Sequence, residues 1–202
     1  MVVLKSCFLL FILFFFSALL FAQNKITWAT NSPAYYKAEE GELVKYTLPN
    51  QLKTVLLSKE ILTPNGQKPL AIDGFTVLDD ERLILLFTNT KKVWRYDTRG
   101  DYWLYNAAGK TLKQLGKDRP ASTLMFAKIS PDGKKAAYVS EYNIYVEDLA
   151  TGTVTPLTTG GNRKWINGTF DWAYEEEFFC RDGFRWSHIV KRLRTGRLMP
   201  ER

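Results

Sequence analysis

The sequence predicts an all-β chain, and three observations predict it. Aromatic residues make up 14% of the sequence and Thr and Tyr are plentiful, which suits pleated, half-buried strands. Short apolar runs are punctuated by turn signals such as Asn65-Gly66, Ala108-Gly109, Pro131-Asp132-Gly133 and Thr151-Gly152. A cycle of four short strands also returns after roughly 40 residues, the repeat expected of β-propeller blades.

Residues 1–22 read as a signal peptide or membrane anchor. Lys5 gives a positive start, and Cys7 to Phe21 is an apolar run rich in Leu and Phe. Ala22–Gln23 is the expected cleavage bond, although Leu20 fits the small-residue rule poorly, so an uncleaved anchor stays open. Either alternative implies an exported chain: periplasmic, secreted or membrane-anchored. Residues 23–74 form an N-terminal extension with the first strands. Ile26 to Trp28 is a short strand, Gly41 to Thr47 alternates polar and apolar residues, and Thr54 to Ile61 suits strand or helix.

From residue 75 to 187 the pattern is that of a partial propeller. Arg82 to Thr88 is a buried strand, followed by Asp101 to Asn106, the turn at Ala108-Gly109 and Leu112 to Leu115. The cycle returns as Phe126 to Ser130, Ala136 to Val139, Asn143 to Val146 and Val154 to Thr158. In the turn between the first two of these, Pro131 presets φ and Gly133 accepts a positive φ. A third cycle opens at Phe184-Arg185-Trp186-Ser187, which matches Ala127-Lys128-Ile129-Ser130.

Composition bounds the function. The 202 residues carry a formal charge of +7, but six Lys/Arg against one Glu between Arg185 and Arg202 supply +5 of it. The rest is nearly neutral, with no basic stripe to follow a phosphate backbone, so no nucleic-acid partner is expected. With residues 1–22 removed, Cys180 is the only cysteine, which leaves no intrachain disulfide and no zinc site; it reads as a buried structural thiol. There is no His-Glu-x-x-His, P-loop or Gly-x-Gly-x-x-Gly string, so no metal or cofactor is expected. Asn167-Gly168-Thr169 is a glycosylation sequon.

The chemistry lies in Trp172-Ala173-Tyr174-Glu175-Glu176-Glu177-Phe178. Three successive carboxylates between aromatic residues repel one another unless a cation satisfies them. The expectation is a compact anionic pocket with an apolar wall, and a protonated amine as its guest. Asp171-Trp172-x-Tyr174-Glu175-Glu176-Glu177 resembles the double-glutamate motif of dipeptidyl peptidase IV, a prolyl-oligopeptidase-type serine exopeptidase family. The resemblance implies the first blades of an eight-bladed propeller. It also implies that Glu176 and Glu177 hold the free α-amino group of a peptide, with Glu175 secondary. Trp94-Arg95 resembles a family position whose arginine meets the carbonyl of the penultimate residue, a task that suits a guanidinium fork. The family removes N-terminal dipeptides with Pro or Ala second, and its full-length members allow a homodimer.

Catalysis in that family belongs to a C-terminal α/β-hydrolase domain carrying a Ser-His-Asp triad. No Gly-x-Ser-x-Gly elbow occurs here, and His188 is the only histidine, so catalytic residues are none and the chain is expected to be inactive alone. After Ser187 the repeat breaks into a divergent basic tail, residues 188–202. One permitted coding of Ile189 to Met199, read in another frame, gives Ser-Lys-Lys-Ile-Ala-Tyr-Trp-Gln-Ala-Asp, which suits a propeller strand; the tail is therefore expected to be a frameshift product. Two blades and a fragment leave one side of the stack uncovered, so marginal stability and exposed strand edges are expected. Two readings remain: the substrate-recognition part of a dipeptidyl-peptidase-IV-like enzyme, or a non-catalytic exported module that binds peptides or proteins.

Overall fold

The computed structural model describes residues 26–78, 81–187 and 193–198, with side-chain placement left aside at Asn65, Arg197 and Leu198. The apolar segment 1–22, His188 and most of the basic tail lie outside the described residues. Among those described, no helix is long and apolar enough to cross a membrane. The chain divides into two compact units, Met1–Lys59 and Glu60–Arg202.

The first unit is a four-stranded antiparallel meander of β1 (Ile26–Trp28), β2 (Ala34–Glu39), β3 (Glu42–Thr47) and β4 (Leu52–Leu57). Of the segment that suited strand or helix, Thr54 to Leu57 lie in strand β4 and residues 58–61 lie beyond it in loop and turn. The backbone groups of β4 pair with β3, and that pairing outweighs a local propensity that decides nothing. β2 was not foreseen from the sequence. It turns into β3 through Glu40-Gly41, both with positive φ, in the register Glu39↔Glu42. Tyr35 and Tyr46 are cross-strand partners and stack at 5.1 Å, and Trp28 meets Tyr35 edge-on at 5.7 Å. Glu39 lies within 2.7 Å of Lys37 Nζ and 3.0 Å of Lys53 Nζ and accepts the Tyr46 hydroxyl proton at 2.5 Å.

The second unit contains two complete antiparallel meanders. The first is β5 (Gly74–Leu78), β6 (Leu83–Val93), β7 (Tyr96–Asn106) and β8 (Thr111–Gln114). The second is β9 (Leu124–Ile129), β10 (Lys135–Ser140), β11 (Asn143–Asp148) and β12 (Val154–Pro156). They join where Arg99 and Gly100 of β7, beyond its pairing with β8, pair with Met125 and Leu124 of β9.

Strand β10 shows why the blades stack. Its side chains alternate between two faces, and both faces are buried. Ala136 and Tyr138 pack with Leu83, Leu85, Tyr102 and Leu104 of the first meander, with Leu115 just after it and with Leu124 of β9. Ala137 and Val139 pack with Ile144 and with Phe184 of β14 (Phe184–Trp186), beyond this meander. A blade is thus apolar on both faces, which accounts for the continuous run Ala136-Ala137-Tyr138-Val139 where a half-buried strand would alternate. Tyr138 extends its hydroxyl to Glu147 at 3.3 Å, and burial pushes that hydroxyl well above the usual tyrosine range, with the Glu147 charge adding to it. Glu147 is buried but partnered, since it also accepts the Gly116 backbone N–H at 2.8 Å.

The predicted turn before β10 forms as read. Gly133 has φ +69°, Ser130 Oγ donates to Asp132 at 2.6 Å, and the Lys134 N–H reaches the same carboxylate oxygen at 3.1 Å. The described part of the basic tail is also structured. β15 (Leu193–Thr195) pairs with β14, and β16 (Arg197–Leu198) pairs with β13 (Ile166–Asn167).

Candidate functional site

The two site segments are held up by different devices. Arg95 sits at the tip of the β6–β7 hairpin, whose strands run eleven residues each and extend past the blade. The pairing Val93↔Tyr96 leaves Trp94 and Arg95 as a two-residue turn. The extension begins at a register shift after Thr88, where Asn89 adopts φ +48°. Asp101 fixes that shift: one carboxylate oxygen accepts Asn89 Nδ2 at 2.7 Å and the other accepts the Ser122 N–H at 2.6 Å. Ser122 Oγ closes the loop on the Asn89 carbonyl at 2.7 Å. Sequence reasoning had ended these strands at Thr88 and Asp101. The arm beyond them is mostly polar and largely outside the core, so it lacks the apolar run that marks a buried strand.

The glutamates lie on a short helix, α1 (Trp172–Phe178), inserted between β13 and β14. Asp171 is its N-cap and accepts the Tyr174 N–H at 3.2 Å. Phe179 ends it in a left-handed conformation, and the Cys180 N–H returns to the Tyr174 carbonyl at 3.0 Å. The bridge Thr169↔Asp182 closes the foot of the insertion. Gly168 supplies the bend there with φ +80°, and a Cβ at that position would come within 2.6 Å of Val139 Cγ2. Below the bridge, Lys128 of β9 contacts the Asp182 carboxylate and donates to the Phe184 carbonyl at 2.9 Å, while Trp186 Nε1 donates to the Lys128 carbonyl at 3.0 Å.

Hairpin tip and helix meet. Arg95 Nε lies 2.9 Å from Glu176 Oε1, and Trp94 Nε1 donates to the same oxygen at 3.1 Å. Arg181, just past the helix, stacks 3.6 Å from the centre of the Tyr96 ring and reaches Glu175 Oε1 at 3.7 Å. Glu175 points inward to a cavity of about 170 Å³ whose wall includes Met125, Phe126, Val139 and Phe170. Glu177 is exposed and makes no ion pair among the described residues. The structure therefore brings Arg95 and Glu176 into contact and leaves Glu177, next to Glu176 in sequence, on an open face. Sequence reasoning missed Trp94, Arg181 and Tyr96. Their signal, an aromatic-Arg-aromatic turn, gains meaning only once the hairpin is placed against the helix.

Two expectations are corrected. The aromatic residues flanking the triplet do not form a buried wall: Trp172, Tyr174, Phe178 and Phe179 are exposed, Phe179 at 82%. A seven-residue helix on a narrow stem cannot turn every face inward, and this one buries none of its residues fully. Tyr174 instead stacks on Phe170 at 5.0 Å. Cys180 is likewise exposed and free, because it follows the left-handed cap at the outer end of the insertion. The sequon is closed, since Asn167 is 2% exposed and its Nδ2 donates to the Tyr142 carbonyl at 3.0 Å. Among the described residues no group of three His, Cys, Asp or Glu side chains is placed to hold a metal ion.

Two stacked blades of a β-propeller, carrying an acid–arginine cluster on an inserted helix, define the class of protein. The model of the dipeptidyl peptidase IV N-terminal region matches residues 79–197, more than half of the chain, and the chain belongs to that family. It is 28% identical over 200 residues to a probable dipeptidyl-aminopeptidase B of Arthroderma benhamiae, covering 89% of this chain and 22% of that protein. It is 30% identical over 148 residues to dipeptidyl aminopeptidase B of Saccharomyces cerevisiae, covering 73% of this chain and 17% of the yeast protein. The crystal structure of Porphyromonas gingivalis dipeptidyl peptidase 4 superposes with a TM-score of 0.75 at 26% identity, over 87% of this chain and 25% of that one. The chain thus spans about a quarter or less of the length of these relatives.

Proposed function

We propose that this chain is the N-terminal substrate-recognition part of a dipeptidyl-peptidase-IV-like serine exopeptidase that removes N-terminal dipeptides with Pro or Ala second. The observation that carries the reading is the contact of Arg95 with Glu176, from a hairpin tip and an inserted helix far apart in sequence. Glu176 and Glu177 pair with the protonated amine of a peptide, and Arg95 donates to its first carbonyl. Held at both points, the peptide is measured from its amino end, which is positioning and not bond-breaking. A serine nucleophile in an α/β-hydrolase domain performs the cleavage, and residues 1–22 direct the protein to export.

The test is calorimetric titration of the chain with an Ala-Pro-Ala peptide amide and with its N-acetylated form. The free amine binds and the acetylated peptide does not, and Glu176→Gln and Glu177→Gln each weaken the free-amine complex at least about tenfold, as expected for charge-assisted hydrogen bonds. Equal binding of the two peptides would sink the amine site. A second reading, an exported binding module without catalysis, draws on the exposed aromatic face of α1. It expects binding that ignores the amino terminus and is lost on Phe178→Ser.

A further inference from the structure

The turn that carries Arg95 is expensive in an unusual place. Trp94 adopts φ +60°, in the left-handed region that bulky side chains avoid and that two-residue hairpin turns usually give to Gly or Asn. Its indole is also 65% exposed, so burial does not explain a tryptophan there. What the side chain does make is one directed bond, from Nε1–H to Glu176 Oε1 at 3.1 Å. Arg95 Nε approaches the same oxygen at 2.9 Å, so both donors fall on Oε1 and leave Oε2 to a ligand. The next residue, Tyr96, carries Arg181 on its ring, and Arg181 faces Glu175. The two turn residues and the first residue of β7 thus grip the acidic helix in a single register.

We propose that Trp94 is a positioning residue of the amine site: its indole N–H fixes the Glu176 carboxylate so that one oxygen is held and the other receives the ammonium group. The proposal rests on the amine-binding reading of Glu176 and Glu177. A rigid carboxylate loses less freedom when the ligand arrives, which is where the affinity comes from. Left-handed strain at a ligand contact is the pattern expected when surrounding structure over-determines a residue for function.

The experiment uses the whole chain, the free-amine Ala-Pro-Ala amide and the variants Trp94→Phe, Glu176→Ala and the double variant. Trp94→Phe keeps an aromatic ring and removes the donor, and it weakens peptide binding about five- to tenfold, the scale of one net hydrogen bond. In the Glu176→Ala background the same change has no further effect, since the two act as one pair. The chain has six tryptophans, and in a ¹⁵N spectrum the indole signal absent from Trp94→Phe is the one that moves upfield in Glu176→Ala. That shift reports the Trp94–Glu176 hydrogen bond with no alteration at Trp94, and the binding cycle reports its effect on the ligand. Unchanged affinity in Trp94→Phe, or an unmoved indole signal in Glu176→Ala, overturns the proposal while the amine site stands. Failure of the unaltered chain to prefer the free amine over its acetylated form overturns both.

Discussion

Single residues here are set by a few strong polar contacts, and Glu39 is the clearest. Its hydrogen bonds with Lys37, Tyr46 and Lys53 favour the carboxylate and hold it down to about 2, from an ordinary value of 4.5. The folded chain therefore binds this proton less readily than the unfolded chain. The stabilisation is complete above the unfolded value and is lost as pH falls from about 4.5 towards 2. Denaturant titrations at pH 6 and pH 3 should show the unaltered chain losing stability between them, and Glu39→Gln losing less. An equal loss in both would place the acid sensitivity elsewhere. The legibility of such residues was uneven. Glu39 and Glu40 are adjacent in the sequence, but the three partners of Glu39 come from β2, β3 and β4, and no local pattern announces a cross-strand network.

At the level of elements, most blade strands were readable, and β2, the arm and the helix were not. β6, β7, β10 and β11 carry apolar runs between turn residues, and the short-range physics of strands is contained in such runs. α1 has only seven residues and no buried face, so it has neither the length nor the periodicity that announces a helix. Its signal was the cap: Asp171 three residues before Tyr174, whose N–H it accepts. Asp171→Ala should cost about 1 kcal/mol of local stability, the usual value of an N-cap. Hydrogen exchange at the amides of 173–176 should then speed up while β10 stays protected. Uniform protection in the variant would mean that the cap is not what holds the helix. Arg95 and Glu176 need both elements in register, so a loosened α1 should also weaken peptide binding.

For the second unit as a whole, the stacking of blades decides stability. Phe184 is the one side chain of β14 fully buried, and it inserts among Ala137, Val139 and Ile144 of the preceding blade. Phe184→Ala should destabilise the chain by about 3–5 kcal/mol, the range for truncating a buried phenylalanine. Phe178→Ala, on the exposed helix face, should stay within about 0.5 kcal/mol. Urea unfolding of the two variants makes the comparison, and equal losses would show that β14 does not dock on β10. The same docking carries the insertion with the glutamates, because Lys128 and Trp186 tie β9 to β14 directly below it. Stability and site geometry therefore share one interface.

By itself the sequence determined the all-β class, the repeat of four strands, the turn at Pro131-Asp132-Gly133 and the identity of the acidic triplet and Arg95. Each of these is written in neighbouring residues, as a period of two, a turn composition or a contiguous motif. The tertiary structure alone decided which glutamate points where. Glu175 turns inward towards Arg181, Glu176 meets Arg95 and Trp94, and Glu177 is open. It also decided that Cys180 is exposed and Asn167 sealed, opposite to what their residue types suggest. The physical reason is the same throughout. Strand formation is governed by side chains a few positions apart, whereas the direction of a carboxylate depends on donors some eighty residues away, brought near by the packing of a hairpin arm against an inserted helix.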